Sequence, residues 1–209
     1  MVFGVNHGGP TGDDVIASNA CCTSNCPAPV ARVLHEGTGI SRGFMTTVHS
    51  SIATQPALDT ARKTLYRSRA AALNAAALNM VPTTTGPVRA IGLVLSEPGG
   101  RPGGMSVRAP TSTVSMINLT FDAARNTFAK EVTAMMRRAA ASPPKGVPDI
   151  CDRDLVSMDF RHEPRGAIYD ADQTRMTQSR IVRVLARYDN EWGLSNRMAD
   201  TAAAMGQMP

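Results

Sequence analysis

The chain has 209 residues, of which 43% are hydrophobic and 19% charged, a composition that excludes a disordered protein and favours a soluble globular one. Lysine and arginine number 22 against 17 aspartates and glutamates, so the formal charge is +5. No stretch approaches the ~20 apolar residues of a membrane-spanning helix, and no membrane partner is expected. The first residues lack the basic and apolar regions of a signal peptide, which predicts a cytoplasmic protein.

The positive charge is scattered along the chain. Basic residues occur singly or in pairs such as Arg137-Arg138, and aromatic residues make up only 4% of the sequence. Duplex binding requires a clustered basic stripe, and single-strand binding requires aromatic faces on which bases stack. The distribution therefore argues against nucleic acid and favours small anionic substrates.

A helix is predicted from Cys22 to His35, since apolar residues recur along it and glycines follow its end. The β-branched and aromatic run Gly43–His49 predicts a strand with His49 at its end. Further strands are predicted over Met105–Arg108, Thr113–Phe121, Leu155–Phe160, Ala167–Tyr169 and Ile181–Tyr188. Further helices are predicted from the turn after Pro82 to about Leu95, over Phe128–Ala141 and over residues 193–206. Strands with segregated helices indicate an α+β fold.

Three of the four cysteines, Cys21, Cys22 and Cys26, lie within six residues. A chain of this size needs no disulfides, and the spacing is not that of a zinc site, so no metal is expected. A cysteine at the start of a helix is reactive, because unpaired backbone N–H groups and the helix dipole stabilise a thiolate. An arbitrary cysteine is more often a small buried hydrophobe.

Five sequence segments, taken in order, resemble glyceraldehyde-3-phosphate dehydrogenases. They are Ser18-Asn19-Ala20-Cys21-Cys22-Thr23-Ser24-Asn25-Cys26, Thr46-Thr47-Val48-His49, Thr84-Thr85-Gly86, Val107-Arg108-Ala109-Pro110-Thr111 and Tyr188-Asp189-Asn190-Glu191-Trp192-Gly193-Leu194-Ser195-Asn196-Arg197. The interval of 27 residues between Cys22 and His49 is also that of the family. The resemblance covers nearly the whole chain, and the ordered set of motifs is highly specific.

The resemblance implies an oxidoreductase that acts in glycolysis on glyceraldehyde 3-phosphate, with NAD as cofactor. Cys22 would attack the aldehyde as a thiolate, and His49 would accept a proton as hydride leaves and a thioester forms. Inorganic phosphate would then release 1,3-bisphosphoglycerate. The expected partners are therefore a small phosphorylated aldehyde and inorganic phosphate, together with further copies of the chain, since the family forms homotetramers.

By the same resemblance, six residues are expected to bind the substrate or attacking phosphate: Cys21, Thr23, Arg69, Thr85, Gly86 and Arg108. Asn190 matches the asparagine that binds the nicotinamide carboxamide. Tyr188 is expected to pack. The implied fold is a predominantly antiparallel or mixed sheet with helices on one face and a C-terminal helix.

The domain organisation implied by the resemblance has three parts. Residues 1–21 would be a remnant of the NAD-binding domain, with Val2–His7 resembling its last strand, and residues 22–189 the catalytic domain. Residues 190–209 would be a helix that packs on the NAD-binding domain, whose G-x-G-x-x-G motif is absent. The apolar side of this helix, with Met198, Ala202 and Met205, is then expected to be exposed.

The sequence departs from the family pattern at four places. Cys21 replaces a serine, and Ile52 replaces a threonine that contacts the substrate phosphate. Pro27 falls inside the predicted helix, where a proline costs about 3 kcal/mol. A tandem copy of five residues over Ala70–Asn79 lengthens the segment after Arg69.

Two alternatives to the triose phosphate reaction remain open. Erythrose-4-phosphate dehydrogenases share the cysteine–histidine chemistry, and the loss of a threonine at Ile52 weakens the assignment to the triose. A catalytically inactive fragment, acting at most as an oligomerising module, is the alternative of another class.

Overall fold

The computed structural model describes residues 1–9, 13–14, 16–51, 80–83, 103–142 and 148–207. Within these ranges the chain forms a mixed sheet of eight strands and three α-helices. The strands are β1 (Ile40–His49), β2 (Val81–Thr83), β3 (Gly103–Arg108), β4 (Ser115–Ala123), β5 (Asp149–Cys151), β6 (Ile168–Asp170), β7 (Arg175–Thr177) and β8 (Ile181–Tyr188). The helices are α1 (Pro27–Thr38), α2 (Ala129–Ala141) and α3 (Trp192–Met205).

The strand order is β2-β3-β1-β4-β8-β6-β5, and β7 also pairs with β8. Most neighbours are antiparallel, but β1 runs parallel to β3, and β5 runs parallel to β6. The parallel register pairs His49 with Arg108. Because paired residues of adjacent strands point to the same face, both side chains leave the sheet on one side. The predicted mixed α+β fold is confirmed.

The main core lies between one face of the sheet and the helices α1 and α2. Burial alternates along β4, whose inward residues Ile117, Leu119 and Phe121 are at most 1% exposed, as period-two strand geometry requires. The facing helix residues Val30, Ala31, Leu34, Val132 and Met136 belong to the same buried cluster. The buried side of α2 consists of Val132, Met135 and Met136.

The first helix begins five residues later than predicted, at Pro27 instead of Cys22. Residues 22–26 form a turn in which Asn25 N–H donates to the Cys21 carbonyl at 3.3 Å, and Cys26 N–H donates to the Thr23 carbonyl at 3.1 Å. Pro27 occupies the first helical turn, where no intrahelical donor is needed. The predicted destabilisation by Pro27 was therefore wrong.

Two predicted strands are absent from the described residues. The segment predicted as a strand over Leu155–Phe160 contains a short 3-10 helix, Ser157–Phe160, because the Asp159 carboxylate accepts the Val156 N–H at 2.8 Å and bends the chain. Val2–His7 forms turns in which the Val2 carbonyl accepts from Val5 and Asn6 N–H at 3.1 Å.

The boundaries of β8 and, within one residue, of α2 agree with the structure, whereas the three-residue strands β2, β5 and β7 were missed. The helix predicted to end near Leu95, the duplicated segment Ala70–Asn79 and Ile52 lie outside the described residues. Within the described ranges, none of the helices combines the length and the apolar character needed to cross a membrane.

The C-terminal helix α3 packs on one side and is open on another. Arg197 and Thr201 are buried, and the Thr201 hydroxyl donates to Asn19 Oδ1 at 3.1 Å. Met198 is 57% exposed, Ala202 is exposed and Met205 is half-buried. The apolar side predicted for this helix is thus uncovered in the chain as it stands.

Candidate active site

A thiol and an imidazole meet at the end of β1. The turn before α1 places Cys22 Sγ 3.5 Å from His49 Nε2. His49 Nδ1 lies 2.9 Å from the Ser50 carbonyl oxygen, and a carbonyl can only accept a hydrogen bond. Nδ1 is therefore the protonated nitrogen of the neutral ring, and the lone pair of Nε2 faces the thiol.

Burial acts on both members of this pair. It raises the pKa of the Cys22 thiol above its ordinary value, with the Thr23 hydroxyl and the Arg108 charge opposing the rise. Burial, and to a smaller extent the Arg108 charge, lowers the pKa of His49 from 6.5 to about 4, although the hydrogen bond to the Ser50 carbonyl opposes the change. At neutral pH the structure thus favours a neutral thiol beside a neutral imidazole, which is a nucleophile with a proton acceptor in place. The predicted lowering of the thiol pKa by a helix N-terminus was wrong, because α1 starts beyond Cys22.

Arg108 brings positive charge to the pair. Its strand β3 lies parallel to β1, and its Nη1 donates to the Ser50 carbonyl at 3.4 Å. The Ser50 carbonyl therefore accepts from both the imidazole and the guanidinium. The Arg108 charge lowers the pKa of both Cys22 and His49, so it acts on both members of the pair.

Thr23 is fixed beside the thiol by Tyr188. The Tyr188 hydroxyl donates to Thr23 Oγ1 at 2.8 Å, and Thr23 Oγ1 lies 3.9 Å from Cys22 Sγ. The Tyr188 ring also meets the His49 ring edge-on, with 6.3 Å between centroids. Tyr188 is buried, as its predicted packing role implies, but it also contacts two predicted site residues.

Asn190 is held next to the histidine by two serines. Its Oδ1 accepts from the Ser50 hydroxyl at 2.7 Å and from the Ser115 hydroxyl at 3.0 Å. Ser115 Oγ in turn accepts the Ser50 N–H at 3.0 Å. The preceding residue Val114 has a φ of 63°, a conformation that is costly for a β-branched side chain. The strained backbone at Val114 thus places the Ser115 hydroxyl within hydrogen-bond distance of Ser50 and Asn190.

The Asp189 carboxylate anchors the chain around Asn190. It accepts from the backbone N–H groups of Glu191, Trp192 and His162 at 3.1, 3.0 and 2.9 Å. Burial raises its pKa, but these hydrogen bonds outweigh burial and leave the pKa below its ordinary value. The charged Asp189 side chain therefore joins β8 to the start of α3.

Cys21 occupies the exposed edge of the site. Its side chain is accessible to solvent, and its Sγ lies 3.0 Å from Ser24 Oγ. Cys21 and Cys22 are adjacent, and the neighbouring Cys21 thiol contributes to raising the pKa of Cys22. Cys26 is fully buried in the core and Cys151 is buried on β5.

The structure brings Cys22, His49, Thr23 and Arg108 together, and Asn190 joins them through Ser50. The predicted phosphate residues Arg69, Thr85 and Gly86 lie outside the described residues. Sequence reasoning missed Ser50, Ser115 and Asp189. Ser50 follows His49 and Asp189 precedes Asn190, so their positions next to predicted site residues could have indicated them. Nothing in the sequence around Ser115 indicates its role.

Comparisons with known proteins agree on one family. The family model for the glyceraldehyde 3-phosphate dehydrogenase C-terminal domain matches residues 21–190. The glyceraldehyde-3-phosphate dehydrogenase of Cereibacter sphaeroides is 52% identical over 208 residues, which are 100% of this chain and 61% of the relative. The enzyme of Xanthobacter flavus is 48% identical over 208 residues, again 100% of this chain and 61% of the relative. The plasmid-encoded enzyme of Cupriavidus necator is 45% identical over 205 residues, which are 98% of this chain and 59% of the relative. The chain thus spans between 59% and 61% of the length of these three relatives.

Proposed function

Because the chain belongs to the glyceraldehyde-3-phosphate dehydrogenase family, we propose that it provides the catalytic groups for the oxidation of glyceraldehyde 3-phosphate to 1,3-bisphosphoglycerate. The observation that best supports this proposal is the 3.5 Å contact between Cys22 Sγ and His49 Nε2, with the imidazole tautomer set by Ser50. An acyl-transfer reaction requires such a nucleophile and proton acceptor in contact.

In the proposed first step, Cys22 attacks the aldehyde carbon and passes its proton to His49 Nε2. The lowered pKa of His49, about 4, keeps Nε2 free to accept a proton at neutral pH. His49 is only 4% exposed, so few solvent dipoles compete for the charge that develops on its ring. The protonated His49 then returns this proton to the carbonyl oxygen, which completes the hemithioacetal hydroxyl. Neutral again, His49 takes up that hydroxyl proton as hydride leaves and the thioester forms on Cys22.

Asn190 is the described residue that fits the cofactor expected for this oxidation. Its buried side-chain amide, held by Ser50 and Ser115, suits the carboxamide of the NAD nicotinamide ring. When bound there, NAD supplies the hydride acceptor. The two serines hold the Asn190 amide in a fixed position relative to His49, since Ser50 follows His49 in the chain.

Six residues are proposed to handle the two phosphate groups of the reaction: Cys21, Thr23, Arg69, Thr85, Gly86 and Arg108. Among the described ones, Arg108 supplies a half-buried guanidinium whose charge reaches Cys22. Thr23 supplies a hydroxyl oriented by Tyr188. A forked donor and a hydroxyl beside the thioester are the groups that an attacking phosphate requires.

The wider context of the reaction is proposed on the family's pattern. Residues 22–189 would form the catalytic domain, with residues 1–21 and 190–209 contacting the NAD-binding part of the protein. The enzyme would act in glycolysis in the cytoplasm, as a homotetramer.

Alkylation of Cys22 tests the proposed pair without any cofactor. Iodoacetamide labelling at neutral pH, followed by mass spectrometry, gives a separate rate for each cysteine. We expect His49→Asn to slow labelling of Cys22, because the proton acceptor is removed, and to leave the rate of the exposed Cys21 unchanged. Equal Cys22 rates in the two proteins would contradict a proton-transfer role for His49.

Turnover provides the complementary measurement. NADH formation from glyceraldehyde 3-phosphate, NAD and inorganic phosphate should be abolished by Cys22→Ser, because the hydroxyl is a far weaker nucleophile than a thiol beside the same histidine. Retained turnover in that variant would rule out Cys22 as the nucleophile.

A further inference from the structure

We propose that Cys21 is a resolving thiol for Cys22: after a hydroperoxide oxidises Cys22, the two adjacent residues close a reversible disulfide. This inference rests on the proposed function in one respect, since it needs Cys22 to be nucleophilic. It goes beyond that function because it assigns Cys21 a redox role that the dehydrogenase reaction does not use.

Solvent exposure distinguishes Cys21 from the other two cysteines that could form a disulfide with Cys22. Cys26 is 0% exposed and belongs to the buried core cluster, so its thiol is enclosed by apolar side chains. Cys151 is 9% exposed on β5, and its thiol donates to the Arg153 carbonyl. Cys21 is exposed, directly precedes Cys22 and has a polar neighbour, the Ser24 hydroxyl, 3.0 Å from its sulfur. Cys21 is therefore the cysteine beside Cys22 whose thiol is open to solvent.

The backbone at Cys21 and Cys22 allows a disulfide to form between them, although with some strain. Neither residue belongs to a helix or a strand, so a twist of the peptide group between them breaks no ladder. The Cα atoms of neighbours are ~3.8 Å apart, closer than the ~4.4–6.8 Å usual in disulfides. The twist must also disturb the Cys21 carbonyl, which accepts from Asn25 N–H and from Asn25 Nδ2 at 3.0 Å. Strained and exposed disulfides are those that thiols reduce readily.

The chemistry balances in two steps with a hydroperoxide as the oxidant. In the first, the Cys22 proton passes to His49, the thiolate sulfur attacks the terminal peroxide oxygen, and the O–O bond breaks. The departing alkoxide or hydroxide takes the proton from His49, which leaves a sulfenic acid on Cys22. In the second, the Cys21 sulfur attacks the Cys22 sulfur, the S–O bond breaks, and hydroxide leaves with the Cys21 proton as water. Two thiols and one hydroperoxide become one disulfide, one alcohol or water, and one further water.

The cross-link would protect the nucleophile. A sulfenic acid that is not resolved proceeds with more peroxide to a sulfinic acid, which ordinary thiols do not reduce. A serine at position 21, the residue found in the family signature, cannot resolve it. Cys21 would therefore convert irreversible oxidation of Cys22 into a state that a dithiol reverses.

Peroxide treatment of the 209-residue chain tests the proposal. The first tryptic cleavage site is Arg32, so a single peptide carries Cys21, Cys22 and Cys26. After stoichiometric hydrogen peroxide and alkylation, we expect this peptide to have lost two hydrogen atoms and to carry one alkyl group, on Cys26. Dithiothreitol should restore alkylation at Cys21 and Cys22.

Two variants make the result specific. Cys21→Ser should lose the cross-link and accumulate sulfinic acid on Cys22, whereas Cys26→Ser should retain the cross-link. A disulfide between Cys22 and Cys26, or sulfinic acid on Cys22 at equal rates with and without Cys21, would overturn the resolving role while leaving the proposed function intact. A Cys22 that resists peroxide altogether would overturn this inference and also count against the proposed nucleophile.

Discussion

His49 shows how a single buried side chain is prepared for proton transfer. Its Nδ1 proton is held by the Ser50 carbonyl, and burial with the nearby Arg108 charge disfavours a second proton on the ring. Burial also disfavours the Cys22 thiolate. The pair therefore rests uncharged, and charge separation occurs when the proton moves between the two groups.

Acidification should lower the free energy of unfolding through His49. Its folded pKa is about 4, against an ordinary value of 6.5, so between these values the unfolded chain binds more protons than the folded one. The contribution of His49 to stability is therefore lost progressively as the pH falls from 6.5 towards 4. Urea denaturation across this range should show a shallower pH dependence for His49→Gln than for the unchanged protein. Equal slopes would contradict the lowered pKa.

Among individual residues, the sequence predicts the two reacting side chains better than it predicts the residues that position them through hydrogen bonds. Cys22 and His49 are recognisable because each lies in a distinctive motif. Ser115 is not, since its hydrogen bond with Ser50 joins positions 65 residues apart. Tyr188 hydrogen-bonds Thr23 across 165 residues. Such contacts depend on strand order, which local sequence patterns do not contain.

Among the elements, the joint between α1 and β1 depends on one glycine. Gly39 has a φ of 68°, and a Cβ placed there would lie 2.6 Å from the Ala124 Cβ. We expect Gly39→Ala to lower the free energy of unfolding by about 1–3 kcal/mol, from backbone strain and the steric clash. Chemical denaturation measures the loss. Gly8→Ala is the matched control, since a Cβ there meets nothing within 4 Å, and equal effects of the two changes would contradict this account.

The bounds of β8 were predicted correctly, whereas two very short strands and the start of α1 were not. The eight residues of β8 are a long β-branched and apolar run, and the predicted bounds agree with the structure. The strands β5 and β7 have three residues each, too few to show a period. The start of α1 was misplaced at Cys22, so Pro27 was taken as an interruption, although the first turn of a helix accommodates a proline.

At the scale of the whole molecule, the described sheet and helices bury a main core and a smaller second cluster but leave α3 with an apolar outer side. Met198 is 57% exposed and Trp192, at the start of the same helix, is 46% exposed. The exposure of Met198 was predicted from the sequence because the helix resembled one that packs on a further domain. The sequence alone did not predict that Arg197, on another side of α3, is buried next to the Pro164 carbonyl.

The chain as it stands should therefore self-associate through α3. We expect Met198→Lys to reduce concentration-dependent association in sedimentation velocity without changing the free energy of unfolding, because the new charge replaces exposed apolar surface. Met158→Lys, at a 45% exposed methionine on a 3-10 helix, is the control. Unchanged association in the α3 variant, or an equal reduction in both variants, would contradict the proposal that self-association occurs through α3.

The hydrogen bond between Tyr188 and Thr23 has a consequence for how the protein is made. A ribosome adds residues in order, so Cys22 leaves the exit tunnel long before Tyr188 and Asn190 are polymerised. Until then Thr23 lacks its tyrosine partner, and the histidine lacks the aromatic edge beside it. The nascent chain thus carries an ordinary solvated cysteine for most of its synthesis. The environment that tunes this thiol is completed only when the last strand of the sheet docks.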